Sequence, residues 1–305
     1  MFEVLQEPGS PNPLPRGAKR QRTLERPVSL SGVGVHSNVP ARMTLNPAQA
    51  NTGIVFAPCN APPFAALWTN VVDTTLRTAL GDGGARVGTV EHLLSACAGL
   101  GIDNLRVEID GPELPAFDGS AAAFVEAIDE AGCMDLPASR RTLKVLHPVR
   151  VQHNGCFAEF LPAEQDLTLD IEIDFAAPVI GRQRRIFAID SGTFRRELSR
   201  ARSFGFLRDL APLQARGLGL GASLENTVAL LEDAVLNSEG LRFPDECVRH
   251  KMLDALGDLA LAGAPIIGLF RSYRSGHALN VAAVRALLSD ASAFRLESIG
   301  APSPV

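Results

Sequence analysis

The chain has 305 residues, a length that suits about two domains of roughly 150 residues. Its 29 Lys and Arg against 34 Asp and Glu leave a formal charge of −5, so no global positive field holds a polyanion and general nucleic-acid binding is disfavoured. An apolar fraction of 46% with 21% charged residues builds an ordinary globular core without disulfides or metal as structural staples.

Residues 1–20 carry Pro8, Pro11, Pro13 and Pro15 among Gly and Ser, a composition expected to be a disordered extension. From 23 to 87, short β-prone runs such as 41–45 and 53–56 are broken by Pro, Gly and Asn turns. Helical spacing first appears at 89–98, with Thr89 as its N-cap and Gly99 as its stop, ahead of a strand over 104–109. Asp118 or Ser120 caps a second helix over 121–131, and the polar stretch 137–141 reads as a linker.

The second half repeats that order. Strands are expected over 143–151, 156–161 and 167–175, then a helix over 192–202, a Gly-rich passage at 217–221, a helix over 245–261, a strand over 265–270 and a last helix over 280–289. Both halves contain a His-bearing helix, an Ala-Gly break and an apolar strand. The expectation is therefore an α+β protein of two related domains, 21–138 and 139–292, followed by a C-terminal tail over 293–305. Their interface is where both His helices can point.

Five scattered cysteines, at 59, 97, 133, 156 and 247, form no C-x-x-C, which fits a reducing cytoplasm rather than a disulfide framework or a Cys-rich zinc module. No run of about 18 uncharged apolar residues and no apolar N-terminal stretch occurs, so neither export nor a membrane span is expected. With only six histidines, at 36, 92, 147, 153, 250 and 277, any His-based metal site draws on a short supply.

The strongest local signal runs from Arg249 to Asp258. At about 100° per residue, Asp254, Asp258 and Lys251 fall within about 100° of His250, while Val248, Met252, Leu253, Ala255, Leu256 and Leu259 take the opposite arc. A His and a carboxylate at i, i+4 have Cβ atoms about 5–6 Å apart, close enough to share a metal ion. Alone, such a pair is ordinarily a solvated helix face. Cys247 shares the stripe, but a thiolate ligand would suggest a closed structural site. Glu91-His92 is the best supplier of a third ligand, because its Glu can also act as general base. His92, His250 and Asp254 would make a His₂-carboxylate site with an open fourth position, the catalytic rather than the structural form of zinc site. His277, on a polar Gly-His turn after a buried strand, suits an acid or electrostatic role, with Asp258 orienting it.

These residues resemble a known family. Thr89-Val90-Glu91-His92-Leu93, Gly101-Ile102-Asp103-Asn104 and Phe117-Asp118-Gly119-Ser120-Ala121 look like the UDP-3-O-acyl-N-acetylglucosamine deacetylases of lipid A biosynthesis in Gram-negative bacteria. So do the 199–206 stretch, Leu241-Arg242-Phe243, the His250 to Asp258 stretch and Ser275-Gly276-His277-Ala278-Leu279-Asn280. The likeness runs in order from about residue 21 to 290.

The resemblance implies two domains, each a two-layer α/β sandwich, with the site between them. It implies one catalytic zinc ion on His92, His250 and Asp254, with Fe2+ left open as the ion in the cell. Glu91 falls on the general base, His277 on the catalytic histidine with Asp258 as its orienting partner, and Lys251 beside the reacting carbonyl. Ser203 stands where the family usually has Thr and keeps the hydroxyl donor to the oxyanion. Whether His277 is general acid or only electrostatic stays open. Asp174 and Phe175 match the nucleotide-binding pair, with Phe175 stacking on uracil, and Arg274 suits the diphosphate. Phe204, Gly276 and Leu76 join the substrate contacts, and the apolar passage 205–231, with Leu207, Leu210, Leu220 and Leu224, corresponds to the acyl-chain insert.

The implied reaction is hydrolysis of the 2-acetamido group of a UDP-linked, 3-O-acylated glucosamine, releasing acetate, the committed step of lipid A biosynthesis. The implied protein is a cytoplasmic monomer with peripheral contact at the inner membrane and no nucleic-acid partner. Its rivals are a zinc amidohydrolase acting on a different acylated sugar and a catalytically silent zinc protein. Arg77 departs from the family, which usually has a small residue there; the acyl mouth and solvent are both open as its surroundings.

Overall fold

Period-two alternation builds the first half. Along the strand Pro40–Pro47, Ala41, Met43 and Leu45 are buried between more exposed neighbours, so one face of the strand lies on the core. The computed structural model describes residues 20–82 and 84–298. Apart from Arg20, the extension expected over 1–20 lies outside them.

Pro40–Pro47 belongs to a five-stranded sheet ordered Val28–Val33, Pro40–Pro47, Leu105–Ile109, Ile54–Pro58, Phe64–Ala65. A three-stranded sheet of Val71–Asp73, Ala79–Asp82 and Ala85–Val87 stands beside it and carries the chain to α1 (Glu91–Leu100). Helix α1 is buried on nearly all sides, and a helix so enclosed takes its stability from packing more than from caps. Its N-cap is Val90 with no side-chain cap bond, which corrects the expectation for Thr89. Thr89 has φ 56° and donates its hydroxyl to Glu113 instead. The helix also runs past Gly99 and ends on Gly101 at φ 71°, where the left-handed conformation favours glycine. Gly99 serves packing, since a Cβ there would overlap the Phe194 ring.

Helix α2 (Ala122–Ala131) follows, and its first amide donates to the Ser120 hydroxyl at 3.1 Å. The expected linker at 137–141 is largely a strand: Cys133–Ser139 pairs antiparallel with Arg20–Leu24, tying the start of the described chain to the end of the first half.

The second half is built on a seven-stranded sheet. Its central strand, Ile266–Tyr273, pairs antiparallel with Cys156–Asp166 and parallel with both Arg141–Val145 and Thr168–Asp174. Phe294–Ser298 pairs antiparallel with Arg141–Val145, so the start of the expected tail is an edge strand of the sheet. The expected helix over 192–202 is shorter: α3 (Ser191–Thr193) is capped by Asp190 and opens into a wider turn, Phe194–Leu198. Within the insert, α4 (Leu207–Gln214) and the short strand Val228–Leu230, which pairs parallel with Phe204–Phe206, enclose the Gly-rich passage. Helices α5 (Glu246–Ala260) and α6 (His277–Ser289) complete the half. Among the described residues no helix is long and apolar enough to cross a membrane.

The two halves meet at α1 and α5. A Cβ at Gly257 would overlap the Glu91 carbonyl oxygen, so the helices approach at the start of α1 to a distance that only glycine permits. That contact brings His92 to His250.

Candidate active site

Each site residue sits on an element fixed by burial. Glu91 and His92 open α1, His250, Lys251, Asp254 and Asp258 line one stripe of α5, and His277 opens α6. His277 is therefore the first residue of a helix rather than part of a turn, and Gly276 is its N-cap. The entry into α5 is held by Arg202, 3% exposed, which donates to Glu246 at 2.9 Å and to the Gly240 carbonyl at 2.7 Å.

His92, His250 and Asp254 converge as the helical spacing predicts. One ligand atom from each lies within 4.8 Å of the others, and all three residues are buried. Asp254 Oδ1 stands 3.3 Å from His250 Nε2 and 3.5 Å from His92 Nε2. That oxygen is buried with no hydrogen-bond partner. A tetrahedral ion with bonds of about 2.0–2.2 Å needs donor atoms about 3.3–3.6 Å apart, so the orphaned acceptor and its two imidazole neighbours fit a single divalent cation.

Protonation states suit the same purpose. His250 Nδ1 faces the Ala201 carbonyl at 3.1 Å, which makes Nδ1 the donor and turns the Nε2 lone pair to the cluster. Burial drives the His250 pKa down to about 4, leaving a neutral imidazole. Burial opposes charge on Asp254, but His250 and Lys251 outweigh it and hold the carboxyl well below the ordinary range. Lys251 Nζ donates to Asp254 Oδ2 at 2.7 Å, and its pKa, lowered by burial, is raised on balance by that partner.

Beside the cluster stands a buried carboxylate–histidine pair. Glu91 Oε1 lies 3.8 Å from His277 Nε2, and both side chains are buried. Burial pushes the Glu91 carboxyl up, tempered by His277 and His92. On the other ring nitrogen, His277 Nδ1 meets Asp258 Oδ2 at 2.9 Å. Burial alone would discharge His277, but Asp258 and Glu91 raise its pKa to about 9, so it is an imidazolium at neutral pH.

The remaining expected residues lie around this centre. Phe204 packs edge-on to His250 at 6.1 Å and beneath Lys251 Nζ at 5.7 Å, and Phe175 packs against Phe204 at 5.9 Å. This joins the expected nucleotide pair to the candidate metal ligands. Asp174 accepts from the Tyr273 hydroxyl at 2.7 Å, and Arg274 beside it is exposed. The Ser203 hydroxyl donates to the Gly119 carbonyl at 3.1 Å, so it must rotate before it can serve an oxyanion. Leu76 and Leu224 are exposed and Leu210 half-buried, with Leu210 against Gly219 of the insert.

Further residues complete the surroundings. Glu113, 1% exposed, accepts from the His36 and Ser37 amides and the Thr89 hydroxyl. His36 Nδ1 in turn accepts from the Gly219 amide at 3.2 Å, docking the insert on the first half. Burial lowers the His36 pKa to about 4, consistent with that acceptor role. Arg77 does not simply face solvent: its side chain is 14% exposed, its guanidinium lies 3.8 Å from Glu113, and it packs against Gly88, where a Cβ would meet Nε at 3.0 Å. Asn280 donates to Asp258, and Thr78 touches both Glu91 and Asp258. Asn280 lies inside a quoted motif and Thr78 follows Arg77 directly, but without a titratable group neither announces itself.

An α+β fold with a buried two-histidine, one-carboxylate cluster beside a Glu–His pair defines a metal-dependent hydrolase class. The family model described as LpxC, UDP-3-O-acyl N-acetylglycosamine deacetylase, matches residues 21–289. Proteins from Brucella ovis, Brucella canis and Brucella abortus, each named UDP-3-O-acyl-N-acetylglucosamine deacetylase, are 50% identical over 280 residues, covering 90% of this chain and 98% of theirs. The chain belongs to the UDP-3-O-acyl-N-acetylglucosamine deacetylase family.

Proposed function

We propose that this protein hydrolyses the N-acetyl group of UDP-3-O-acyl-N-acetylglucosamine, releasing acetate and the 2-amino sugar, in lipid A biosynthesis. The observation that carries the reading is the meeting of two functions in one buried centre: donors for one cation, and a carboxylate 3.8 Å from an imidazolium. Zinc on His92, His250 and Asp254, or Fe2+ on the same donors, would supply a Lewis acid for the amide carbonyl and activate water.

Glu91 takes a proton from the attacking water as its oxygen joins the acetyl carbon. Its raised pKa makes it a stronger base than an exposed carboxylate. The Lys251 ammonium, and the Ser203 hydroxyl once rotated, offset charge on the former carbonyl oxygen. His277 gives its proton to the sugar nitrogen as the C–N bond breaks, and Asp258 keeps its ring oriented. Asp174, Phe175 and Arg274 would take the nucleotide end, with Gly276 and Phe204 near the sugar. Leu76, Leu207, Leu220 and Leu224, between 43% and 51% exposed, would offer the acyl chain an apolar path. The same rim suits peripheral contact of a cytoplasmic monomer with the inner membrane.

Acetate release from the UDP-linked substrate, before and after chelation and metal restoration, tests the reading. Turnover should disappear with the metal and return with zinc. An enzyme that hydrolyses only unacylated amides would contradict the substrate assignment.

A further inference from the structure

Thr78 spends every polar group it has on the centre just described. It is fully buried, immediately before the strand Ala79–Asp82 and two residues after Leu76, whose φ is 60°. Its amide donates to Glu91 Oε2 at 3.0 Å. Its hydroxyl donates to Asp258 Oδ1 at 2.5 Å, across 180 residues of sequence and across the interface between the halves. Its carbonyl accepts from the Val90 amide at 3.2 Å, at the entry to α1.

We infer that Thr78 is a positioning residue for deacetylation, holding the base Glu91 and the Asp258–His277 pair at one fixed spacing. The inference rests on the acid/base reading of Glu91 and His277. With Oε2 held by the amide, Oε1 is the Glu91 oxygen left facing His277 Nε2. Asp258 is constrained likewise. Its Oδ2 accepts from Asn280 and meets His277 Nδ1, both at 2.9 Å, while Thr78 holds Oδ1, so the carboxylate cannot turn away from the ring. An ionised carboxylate only accepts, which makes the Thr78 hydroxyl the donor. Without it, Asp258 Oδ1 would be buried and unpaired, and the carboxylate free to reorient within the interface. Partners that act through a functional group in this way typically contribute about 10–100-fold.

The test compares Thr78→Val, which keeps the amide and the shape, with Thr78→Ser, which keeps amide and hydroxyl. Thr78→Val should lower kcat about 10–100-fold, with KM and bound metal within about twofold of the parent, and Thr78→Ser should recover most of that loss. In a His277→Gln background, Thr78→Val should cost less than about threefold more, because the group it positions is gone. Three results would overturn the inference: a parental kcat for Thr78→Val, equal losses for Val and Ser, or a kcat loss that follows loss of metal. Glu91→Gln and His277→Gln run alongside. If both retain parental kcat, the acid/base reading falls and the inference with it; if both are impaired while Thr78→Val is not, only the inference falls.

Discussion

Gly257 faces the carbonyl oxygen of Glu91 so closely that no side chain fits between them. The contact sets the approach of α1 to α5, and with it the spacing of His92 from His250 and Asp254. Gly257→Ala should force the helices apart, costing about 1–3 kcal/mol of stability. It should also weaken metal binding, measurable as a lower Tm together with a lower metal-to-protein ratio after dialysis.

The ligand set makes a prediction about loading. Asp254→Asn halves the carboxylate's acceptor capacity and leaves Lys251 without its anionic partner. Metal bound per chain should fall from about one to near zero under dialysis that leaves the parent loaded, as read by elemental analysis. Retention of a full equivalent would remove Asp254 from the ligand set.

For His277 the direction of the pH effect follows from its pKa, raised to about 9 from the ordinary imidazole value of 6.5. A group whose folded pKa is raised adds stability that is fully present below about 6.5 and is lost as pH rises through about 9. In chelated protein, urea melts should therefore show stability declining from pH 7 to 9.5, and His277→Gln should flatten that decline. Activity should follow the same proton, with a basic limb in kcat/KM that the parent shows and His277→Gln lacks.

Tyr273→Phe removes the donor to Asp174 and leaves the aromatic body in place. A lost hydrogen bond of about 1 kcal/mol corresponds to a KM for the UDP-linked substrate roughly fivefold higher. The value of kcat should change less than about twofold. An unchanged KM would mean that Asp174 has no part in holding the nucleotide end.

The His-His-Asp cluster was the most legible part of the sequence, because i, i+4 spacing on a half-apolar helix carries its own geometry. His250 and Asp254 meet on α5 as the spacing predicts, and Glu91-His92 comes to them from α1. What sequence hid was non-local. The reach of Thr78 to Asp258 depends on how two halves pack, and the pairing of Cys133–Ser139 with Arg20–Leu24 turns an apparent linker into a strand. Local signals also misled where packing won. Thr89 looks like a cap but turns its hydroxyl to buried Glu113, and Gly99 looks like a stop but makes room for Phe194. His277 looks like a loop residue because the helix it opens is capped only by Gly276, which has no side chain to mark the start.

The most direct measurement is the turnover of Glu91→Gln with its metal content fixed. Glu91 opens α1 beside His92, yet itself lies outside the candidate donor set, so the variant should keep about one metal ion per chain. Its rate of acetate release should fall about 10²–10⁴-fold, the usual range for loss of a general base. Parental turnover by a fully loaded Glu91→Gln enzyme would contradict the account.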